Sequence, residues 1–501
     1  MSKFHSVVSR RDFMKGLGIT SAGVGGAALM PPTFNDLDDM ASSNESVSAK
    51  RAWWVKQVDE PTAEIDWDIM KRYDARFTTH SDAVLARYVG AEKLASIVAE
   101  GAQGRQEAIL ANDPGYQLRD WALYESAASA YATMSWDGIK KVKTPEQRGV
   151  PKWTGTPEEN TRIFRAALVF LGATDVGINE LDEHHKKLVC THPQSVSASY
   201  LTKWPPPDTV NKRIVFEDIQ EGYKTDEKYV IPSKPLWAVT FTIPMSKDAW
   251  RTAPGLVSAA GNQSRYRLRS QTITCIQEFL RAIGYQALDE AYPTIPAGAG
   301  AVLTGLAECS RNSEVHISPE YGSCHGYFDL ITDLPLVPTK PVDAGIFRFC
   351  HDCQKCVQIC PADSLPSEKE PSWQPTKSSI SPVHPPLDPN MPDPEFHNPG
   401  KKIFWKDNVT CNLFGKGQIG TGSGCKMCQA HCTFNVNAGA IVHQFVKATL
   451  STTSVFNGLF WRADNTFGYG LKPEEDREDW WNQSLPAYGF STTVAARDGG
   501  H

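Results

Sequence analysis

The chain has 501 residues, of which 41% are hydrophobic and 22% charged, and its formal net charge is −6. These values are typical of a soluble globular protein with a substantial core, and they exclude a disordered chain or one that lies mostly within a membrane. Because phosphate binding needs a concentrated face of Lys and Arg, the acidic balance also predicts that nucleic acid is not a partner.

The N-terminus carries the pattern of an export signal. Residues 9–15 read Ser-Arg-Arg-Asp-Phe-Met-Lys and precede a Gly- and Ala-rich apolar run from Gly16 to Met30. This pattern indicates a twin-arginine signal, and a short amphipathic anchor helix is the alternative. We expect residues 1–40 to form the signal and leader, with cleavage between Met30 and Ser43. No other stretch has the roughly 18 apolar residues that span a bilayer, so we expect the mature chain to be soluble or peripheral.

Residues 41–150 show only weak hydrophobic alternation, and we expect an N-terminal region that packs on the following domain. The first strong helix signal starts at Thr156, the predicted N-cap, with Pro157 in the first helical position and Glu159 completing a capping box. An apolar face then continues to Leu171. Gly172 is expected to end this helix, and residues 173–178 predict a strand.

The same order of helix, glycine and extended segment occurs again. An apolar stripe runs from Ile273 to Ile283, Gly284 follows it, and residues 285–288 read as extended. The segment Trp237 to Ile243 predicts a strand before this unit. Two such units indicate a single α/β (α+β) domain over residues 151–340.

Eight of the twelve cysteines lie in two groups between residues 350 and 432. The first group follows the ferredoxin pattern C-x2-C-x2-C-x3-C-P, and the second has a Gly-rich insertion after its first cysteine. Two [4Fe–4S] clusters are therefore predicted, and the ferredoxin crossover rule pairs Cys350, Cys353, Cys356 and Cys432 for the first and Cys411, Cys425, Cys428 and Cys360 for the second. Zinc is the alternative, but zinc sites do not need this arrangement. The scattered cysteines are expected to be buried, small apolar side chains: Cys190, Cys275, Cys309 and Cys324.

Residues 364–400 are rich in proline, which disfavours regular structure. Because this stretch lies between the two cysteine groups, we expect a loop inside one iron–sulfur domain of residues 341–450. Residues 451–501 are expected to form a C-terminal extension, to which no chemistry is assigned.

With these features the sequence resembles the catalytic subunits of the respiratory reductive dehalogenases. The resemblance covers the export signal, the segments 237–244 and 266–285, the Ile-Thr-Asp-Leu-Pro-Leu segment at 331–336, and both cysteine groups. It implies a nitroreductase-like domain that binds a cobalamin-type corrinoid, joined to a ferredoxin-like domain with two clusters. It also implies replacement of a carbon-bound halogen by hydrogen, using Co(I), in organohalide respiration. The Asp-x-His-x-x-Gly signature of His-ligated corrinoids is absent, because Asp182-Glu183-His184 lacks the glycine, and this agrees with the base-off corrinoid of the family.

The same resemblance implies site residues. Tyr266 matches the tyrosine that donates the proton, with a partly buried structural tyrosine as the alternative. The usual cationic partner falls at residues 324–326, where only His325 has a suitable side chain, although Arg265 and Arg267 flank Tyr266. The substrate-side asparagine of the family falls near residue 292 and is not carried over. Two glycines of the segment 296–303 are expected to approach the corrinoid, with a plain turn as the alternative: Gly298 and Gly300.

The resemblance further implies an organohalide substrate, a small integral membrane anchor protein and a respiratory electron donor on the outer face of the cytoplasmic membrane. Chlorinated ethenes and chlorinated aromatics both remain open as substrates. Two other functions are compatible with the cysteine groups: a non-catalytic electron-transfer subunit, and an epoxyqueuosine-reductase-like corrinoid enzyme. The export signal and the acidic charge argue against the second of these.

Overall fold

The computed structural model describes residues 51–129, 134–312, 316–391, 394–420, 424–436 and 441–482, apart from the side chains of 441 and 442. The predicted export signal lies outside these ranges and stays a prediction. Within them, no helix combines the length and apolar character that crossing a membrane requires.

Nine strands form three sheets in the described part of the chain. Their bounds are β1 Lys56–Gln57, β2 Asp175–Glu180, β3 Arg213–Glu217, β4 Tyr223–Lys224, β5 Lys228–Pro232, β6 Trp237–Pro244, β7 Ala287–Leu288, β8 His325–Thr332 and β9 Val342–Asp343. The central sheet has the order β2-β6-β8-β7 and is antiparallel throughout. The two others are β3-β5-β4, in which β3 and β5 are parallel, and the pair β1-β9.

Fourteen α-helices accompany these sheets over the same ranges. Their bounds are α1 Asp82–Val89, α2 Ala91–Ala111, α3 Leu118–Ala128, α4 Pro145–Arg148, α5 Pro157–Phe170, α6 Lys247–Trp250, α7 Leu256–Ile283, α8 Ala297–Leu303, α9 Ile346–Asp352, α10 Lys355–Gln358, α11 Asn408–Phe414, α12 Met427–Ala430, α13 Ile441–Thr452 and α14 Asn457–Thr466. A π-helical turn, Gly415–Ile419, continues α11. The predicted mixed α/β architecture is confirmed. The finer division into a nitroreductase-like and a ferredoxin-like domain stays a prediction.

The two faces of the central sheet carry different helices. On one face, α5 and α7 cover alternate residues of β6 and β8, and this core includes Phe164, Val239, Phe241, Ile273, Ile276, Phe328 and Leu330. Burying each such large side chain contributes about 1.5–3 kcal/mol relative to leaving it exposed. On the opposite face, α8 lies so close that a Cβ on Gly300 would come within 2.2 Å of Thr240 Oγ1. The sheet is therefore covered on both sides, and side chains that alternate along β8 face different helices.

Local signals placed the two predicted helix–strand units correctly. Thr156 Oγ1 accepts a hydrogen bond from the N–H of Glu159 at 3.3 Å, as an N-cap should, although the carboxylate that interacts with Thr156 is that of Glu158. Helix α7 ends where Gly284 takes a left-handed conformation with φ of 92°. Each following strand starts two residues later than predicted, β2 at Asp175 and β7 at Ala287.

The N-terminal region contributes four α-helices that the sequence did not predict, α1 to α4. Tyr124 and Ala127 of α3 pack on Leu256 and Ala259 of α7, so this region does pack on the domain that contains the central sheet. From the far end of the chain, the indole N–H of Trp481 donates to Asp120 on α3 at 2.6 Å. The C-terminal extension thus adds to the same assembly.

The proline-rich stretch has no helix or strand between α10 and α11 among the described residues, as predicted. It lies across α1: the N–H groups of Val383 and His384 donate to the carbonyl oxygen of Arg87, and the Arg87 guanidinium forms a buried ion pair with Glu395. The loop is therefore anchored on the N-terminal region as well as between the cysteine groups.

Three of the four scattered cysteines are buried, as expected: Cys190, Cys309 and Cys324. The prediction was wrong for Cys275, which is exposed on α7. Its helical position faces away from both the sheet and α3.

Candidate active site and cysteine centres

Tyr266 lies on α7 at the edge of the apolar core beneath the central sheet. Its ring meets Phe328 of β8 edge to face with centroids 5.7 Å apart, and meets Tyr292 in the same way at 6.1 Å. Helix α7 and strand β8 therefore fix the ring, and the loop after β7 closes over it. This leaves the hydroxyl as the polar tip of an otherwise apolar side chain.

The cationic partner of Tyr266 is its neighbour Arg265. Arg265 Nη2 donates to the Tyr266 hydroxyl at 3.2 Å, Nη1 donates to the carbonyl oxygen of His325 at 2.9 Å, and the guanidinium carbon lies 4.8 Å from the centre of the Tyr266 ring. Burial raises the pKa of the phenol, but the charges of Arg265 and Lys426, with hydrogen bonds from Tyr292 and Arg265, outweigh it and leave the pKa below its ordinary value. A buried tyrosine with a lowered pKa is a better proton donor than a free one.

His325 does not supply this positive charge, and that prediction needs correction. Its ring lies 4.0 Å from the ring of Tyr327, the next side chain on the same face of β8, whereas Tyr266 packs on Phe328 of the other face. Burial, with the Arg265 charge as a second cause, lowers the pKa of the imidazole to about 3. Backbone groups of Gly322 and His316 act in the opposite direction and are outweighed. The ring is therefore neutral, and it is the backbone carbonyl of His325 that binds Arg265.

The two predicted glycines belong to helix α8 and not to a plain turn. A Cβ on Gly300 would meet Thr240 and Asp329, so the glycine here permits close packing of the helix on the sheet. A Cβ on Gly298 would come within 2.7 Å of the His316 ring. Contact of either glycine with a corrinoid stays a prediction.

The first predicted set of cysteines converges on one pocket. Its lining includes the four residues of that set, Cys350, Cys353, Cys356 and Cys432. Three come from α9, α10 and the turn between them, and the fourth comes from the distant second group just after α12. The crossover of the fourth ligand is thus present in the geometry.

The second set gathers around Cys425. Burial raises the pKa of the Cys425 thiol to about 11, and the nearby thiolates of Cys411 and Cys360 add to the rise. Cys428 is close enough to Cys356 to raise its pKa as well, so the two sets are adjacent. Within the described residues no group of three or more His, Cys, Asp or Glu side chains is arranged to hold a single metal ion. Ligands of a four-iron cube bind four separate irons and so stand further apart.

One residue of the second cysteine group also reaches the tyrosine. Lys426, between Cys425 and Cys428, takes a left-handed conformation with φ of 60° and lowers the pKa of Tyr266 by its charge. The sequence analysis did not assign it a role, because nothing in the spacing indicates where the lysine side chain points. It places the second cysteine set beside the candidate proton donor.

Several buried polar atoms, on α7 and at His316 and His325, lack hydrogen-bond partners in the described part of the chain. They are Arg265 Nε, Asn262 Oδ1, His316 Nδ1 and both ring nitrogens of His325. Buried polar groups are rarely left unpaired in a folded protein, so these atoms mark a surface that a polar-edged ligand would complete. A corrinoid, whose rim carries amide side chains, fits that requirement.

Comparisons with known proteins identify the family of the chain. The family model "Reductive dehalogenase subunit" matches residues 50–134 and 126–336. The chain is 30% identical to a chloroethene reductive dehalogenase of Dehalococcoides mccartyi strain VS, covering 98% of this chain and 99% of that protein. It is 29% identical to a trichloroethene reductive dehalogenase of another Dehalococcoides mccartyi strain, again over 98% and 99%.

Among solved structures, the chain is similar to the catabolic reductive dehalogenase NpRdhA with bound 3-bromo-4-hydroxybenzoic acid. The TM-score is 0.56 at 16% identity, over 91% of this chain and 56% of that one. This chain therefore spans only about half the length of NpRdhA, and the likeness concerns the fold. An epoxyqueuosine reductase of Bacillus cereus matches over 61 residues, 12% of this chain, at 34% identity.

Proposed function

Because this chain belongs to the reductive dehalogenase family, whose members are oxidoreductases acting on carbon–halogen bonds, we propose that it replaces a chlorine of a chlorinated ethene by hydrogen. The two relatives that match over nearly the whole chain are named for chloroethene and trichloroethene. The similarity to a structure with a bound brominated hydroxybenzoic acid concerns the fold and does not indicate the substrate of this chain. A small apolar haloalkene also suits a donor hydroxyl set among the rings of Tyr292 and Phe328.

The net reaction consumes two electrons and one proton: the carbon–chlorine bond breaks, a carbon–hydrogen bond forms, and chloride leaves. A base-off corrinoid supplies the strongly reducing cobalt centre that this chemistry requires. The unpaired buried groups of Asn262 and His316 would hold its rim. Two [4Fe–4S] clusters held by the eight grouped cysteines would bring the electrons, and the effect of the Lys426 charge on the pKa of Tyr266 supports a short path from the second cluster.

The hydrogen bond between Arg265 and Tyr266 is the observation that supports the proposed proton transfer. Tyr266 holds a proton on a hydroxyl that already accepts a hydrogen bond from a guanidinium at 3.2 Å. When the proton moves to the substrate carbon, the phenolate is stabilised in place by Arg265 and Lys426 without reorganisation of solvent. The apolar packing around the ring keeps water from competing as an acid.

We further infer an exported enzyme that works on the outer face of the cytoplasmic membrane. The support is the twin-arginine pattern at residues 9–15. A small integral membrane protein would anchor it, and a respiratory donor would feed the first cluster. These partners rest on the family and on the export pattern alone.

Metal analysis combined with a substrate panel tests this function. Protein made in a corrinoid-replete host and reconstituted without oxygen should hold about eight iron atoms and one cobalt per chain. It should release chloride from chlorinated ethenes faster than from chlorinated aromatics. Iron without cobalt would favour the non-catalytic electron-transfer subunit, and activity on an epoxyqueuosine-containing RNA would favour the tRNA-modifying enzyme.

A further inference from the structure

Tyr292 lies directly against the candidate proton donor, and no chemistry has been assigned to it. Its ring is almost perpendicular to that of Tyr266, at 89°, with centroids 6.1 Å apart. As a hydrogen-bond partner, its side chain contributes to the lowered pKa of the Tyr266 phenol. In the described structure the resting Tyr266 hydroxyl has its contact of full hydrogen-bond geometry with Arg265, so the Tyr292 contact is the looser of the two.

The Tyr292 ring is held from behind by a buried cation. The guanidinium carbon of Arg269 lies 5.0 Å from the centre of the Tyr292 ring and 5.6 Å from that of Phe328. Arg269 is one turn beyond Tyr266 on α7, so the same helix carries the proton donor and the residue that braces its neighbour. A cation over an aromatic ring is attracted by the face of the ring, and more strongly when it is desolvated.

Arg269 is itself fixed by the loop that carries Tyr292. Its Nη2 lies 2.6 Å from Asp289 Oδ2, and the hydroxyl of Thr294 lies 3.2 Å from Asp289 Oδ1. Asp289 and Thr294 are both buried and stand on either side of Tyr292 in sequence. The loop is therefore closed on itself through a charged network, and its tyrosine has little freedom to move away from Tyr266.

We propose that Tyr292 is a positioning residue for proton transfer: its hydroxyl orients that of Tyr266 and donates a hydrogen bond to the Tyr266 oxygen once the proton has left. This inference rests on the proposed role of Tyr266 as the donor. It goes beyond that role by assigning a second phenol of this chain to the same step.

The charges around the pair favour this direction of donation. Tyr266 faces Arg265, Lys426 and Tyr292, and these groups together lower its pKa against the effect of burial. Tyr292 faces Tyr266, Arg265 and Arg269, and its pKa is raised, first by the Tyr266 charge and then by burial. The guanidinium of Arg265 also donates to the Tyr266 hydroxyl at 3.2 Å, so the phenolate forms at Tyr266 and Tyr292 keeps the proton that it donates.

The test replaces Tyr292 by phenylalanine in the full, cofactor-loaded protein. Tyr292→Phe keeps the ring over which Arg269 lies and removes only the hydroxyl. Hydrogen bonds to charged groups contribute about 1.5–3 kcal/mol, so kcat should fall about tenfold to a hundredfold with little change in KM. Tyr285→Phe is the matched control: it removes a hydroxyl that donates to the carbonyl oxygen of Trp153 at 3.1 Å, away from the site, and should leave turnover unchanged.

The decisive readout does not depend on turnover. A fluorotyrosine placed at residue 266 reports the pKa of that phenol by fluorine NMR, and this pKa should rise in Tyr292→Phe but not in Tyr285→Phe. A pKa that does not move would overturn the proposal, whatever the rates. A raised pKa with unchanged turnover would support the coupling of the two phenols and would instead count against Tyr266 as the proton donor.

Discussion

Replacing Tyr266 by phenylalanine removes one oxygen atom and leaves the rest of the site intact. The edge-to-face contacts with Phe328 and Tyr292 involve the ring and persist in the variant. Arg265 loses one acceptor but keeps the carbonyl oxygen of His325 at 2.9 Å. None of the eight cysteines is touched, so the iron content should not change.

The expected loss follows from what the hydroxyl does in the structure. In the proposed mechanism it is the acid, and in the structure it is the acceptor through which the Arg265 charge acts, so its removal deletes both effects at once. Positioned general acids contribute about a hundredfold to ten-thousandfold to rate. We therefore expect kcat to fall at least about a hundredfold, with KM changed far less, because the ring that lines the site remains.

Chloride release from a chlorinated ethene under a strong reductant, measured in single-turnover and steady-state modes, provides the assay. Iron and cobalt are quantified on the same samples, so that a loss of cofactor is not taken for a loss of chemistry. A loss of turnover smaller than about threefold would refute the reasoning, because such a loss is far below the contribution of a positioned acid. The proton would then have to reach the substrate from another group.

Three further outcomes are expected. His325→Gln should keep turnover within a few-fold, with an unchanged rate profile between about pH 5 and 8, because the imidazole is already neutral with a pKa of about 3. Replacing Arg10 and Arg11 by lysines should leave an unprocessed, metal-loaded precursor in the cytoplasm, and normal export on immunoblots of cell fractions would contradict the twin-arginine assignment. Burial raises the pKa of Asp329 to about 8, so the native state keeps a proton that the unfolded chain has lost, and this part of the stability declines as pH rises toward 8. Asp329→Asn cannot ionise, and its thermal unfolding midpoint should therefore fall less than that of the unmodified protein between about pH 5 and 8.

The parts of the fold that were predictable are those determined by local sequence. The cap at Thr156, the glycine stop at Gly284 and the apolar run of β6 are each specified by a few neighbouring residues. Helix α2 was missed although it has 21 residues, because only Leu94 and Gly101 are buried along it and no apolar stripe exists to be recognised. The antiparallel order of the central sheet depends on pairings between distant segments, which no local pattern contains.

The same division holds for the site. The cysteine sets follow from spacing, since each ligand group lies within a short segment. His325 was assigned wrongly because successive side chains of a strand point to opposite faces, so a shift of one residue in the assignment places the side chain on the face away from Tyr266. Arg265 flanks Tyr266 in sequence and was a visible candidate, whereas the contacts of Lys426 and Tyr292 with Tyr266 arise only when a cysteine loop and the 289–294 loop are folded together.

Helix α2 and the π-helical turn Gly415–Ile419 meet at a point where neither backbone could carry a side chain. A Cβ on Gly101 would lie 2.0 Å from the carbonyl oxygen of Lys416, and one on Gly420 would lie 2.1 Å from that of Gly101. Arg105 of the same helix donates to the carbonyl oxygen of Gly420. The insertion between Cys411 and Cys425 thus packs on a helix that lies some three hundred residues earlier in the chain. The second cysteine set is therefore not a detachable module, because its last members are synthesised long after the surface that supports them. The proposed cluster would assemble only after almost the whole chain has been made and has folded back on its beginning.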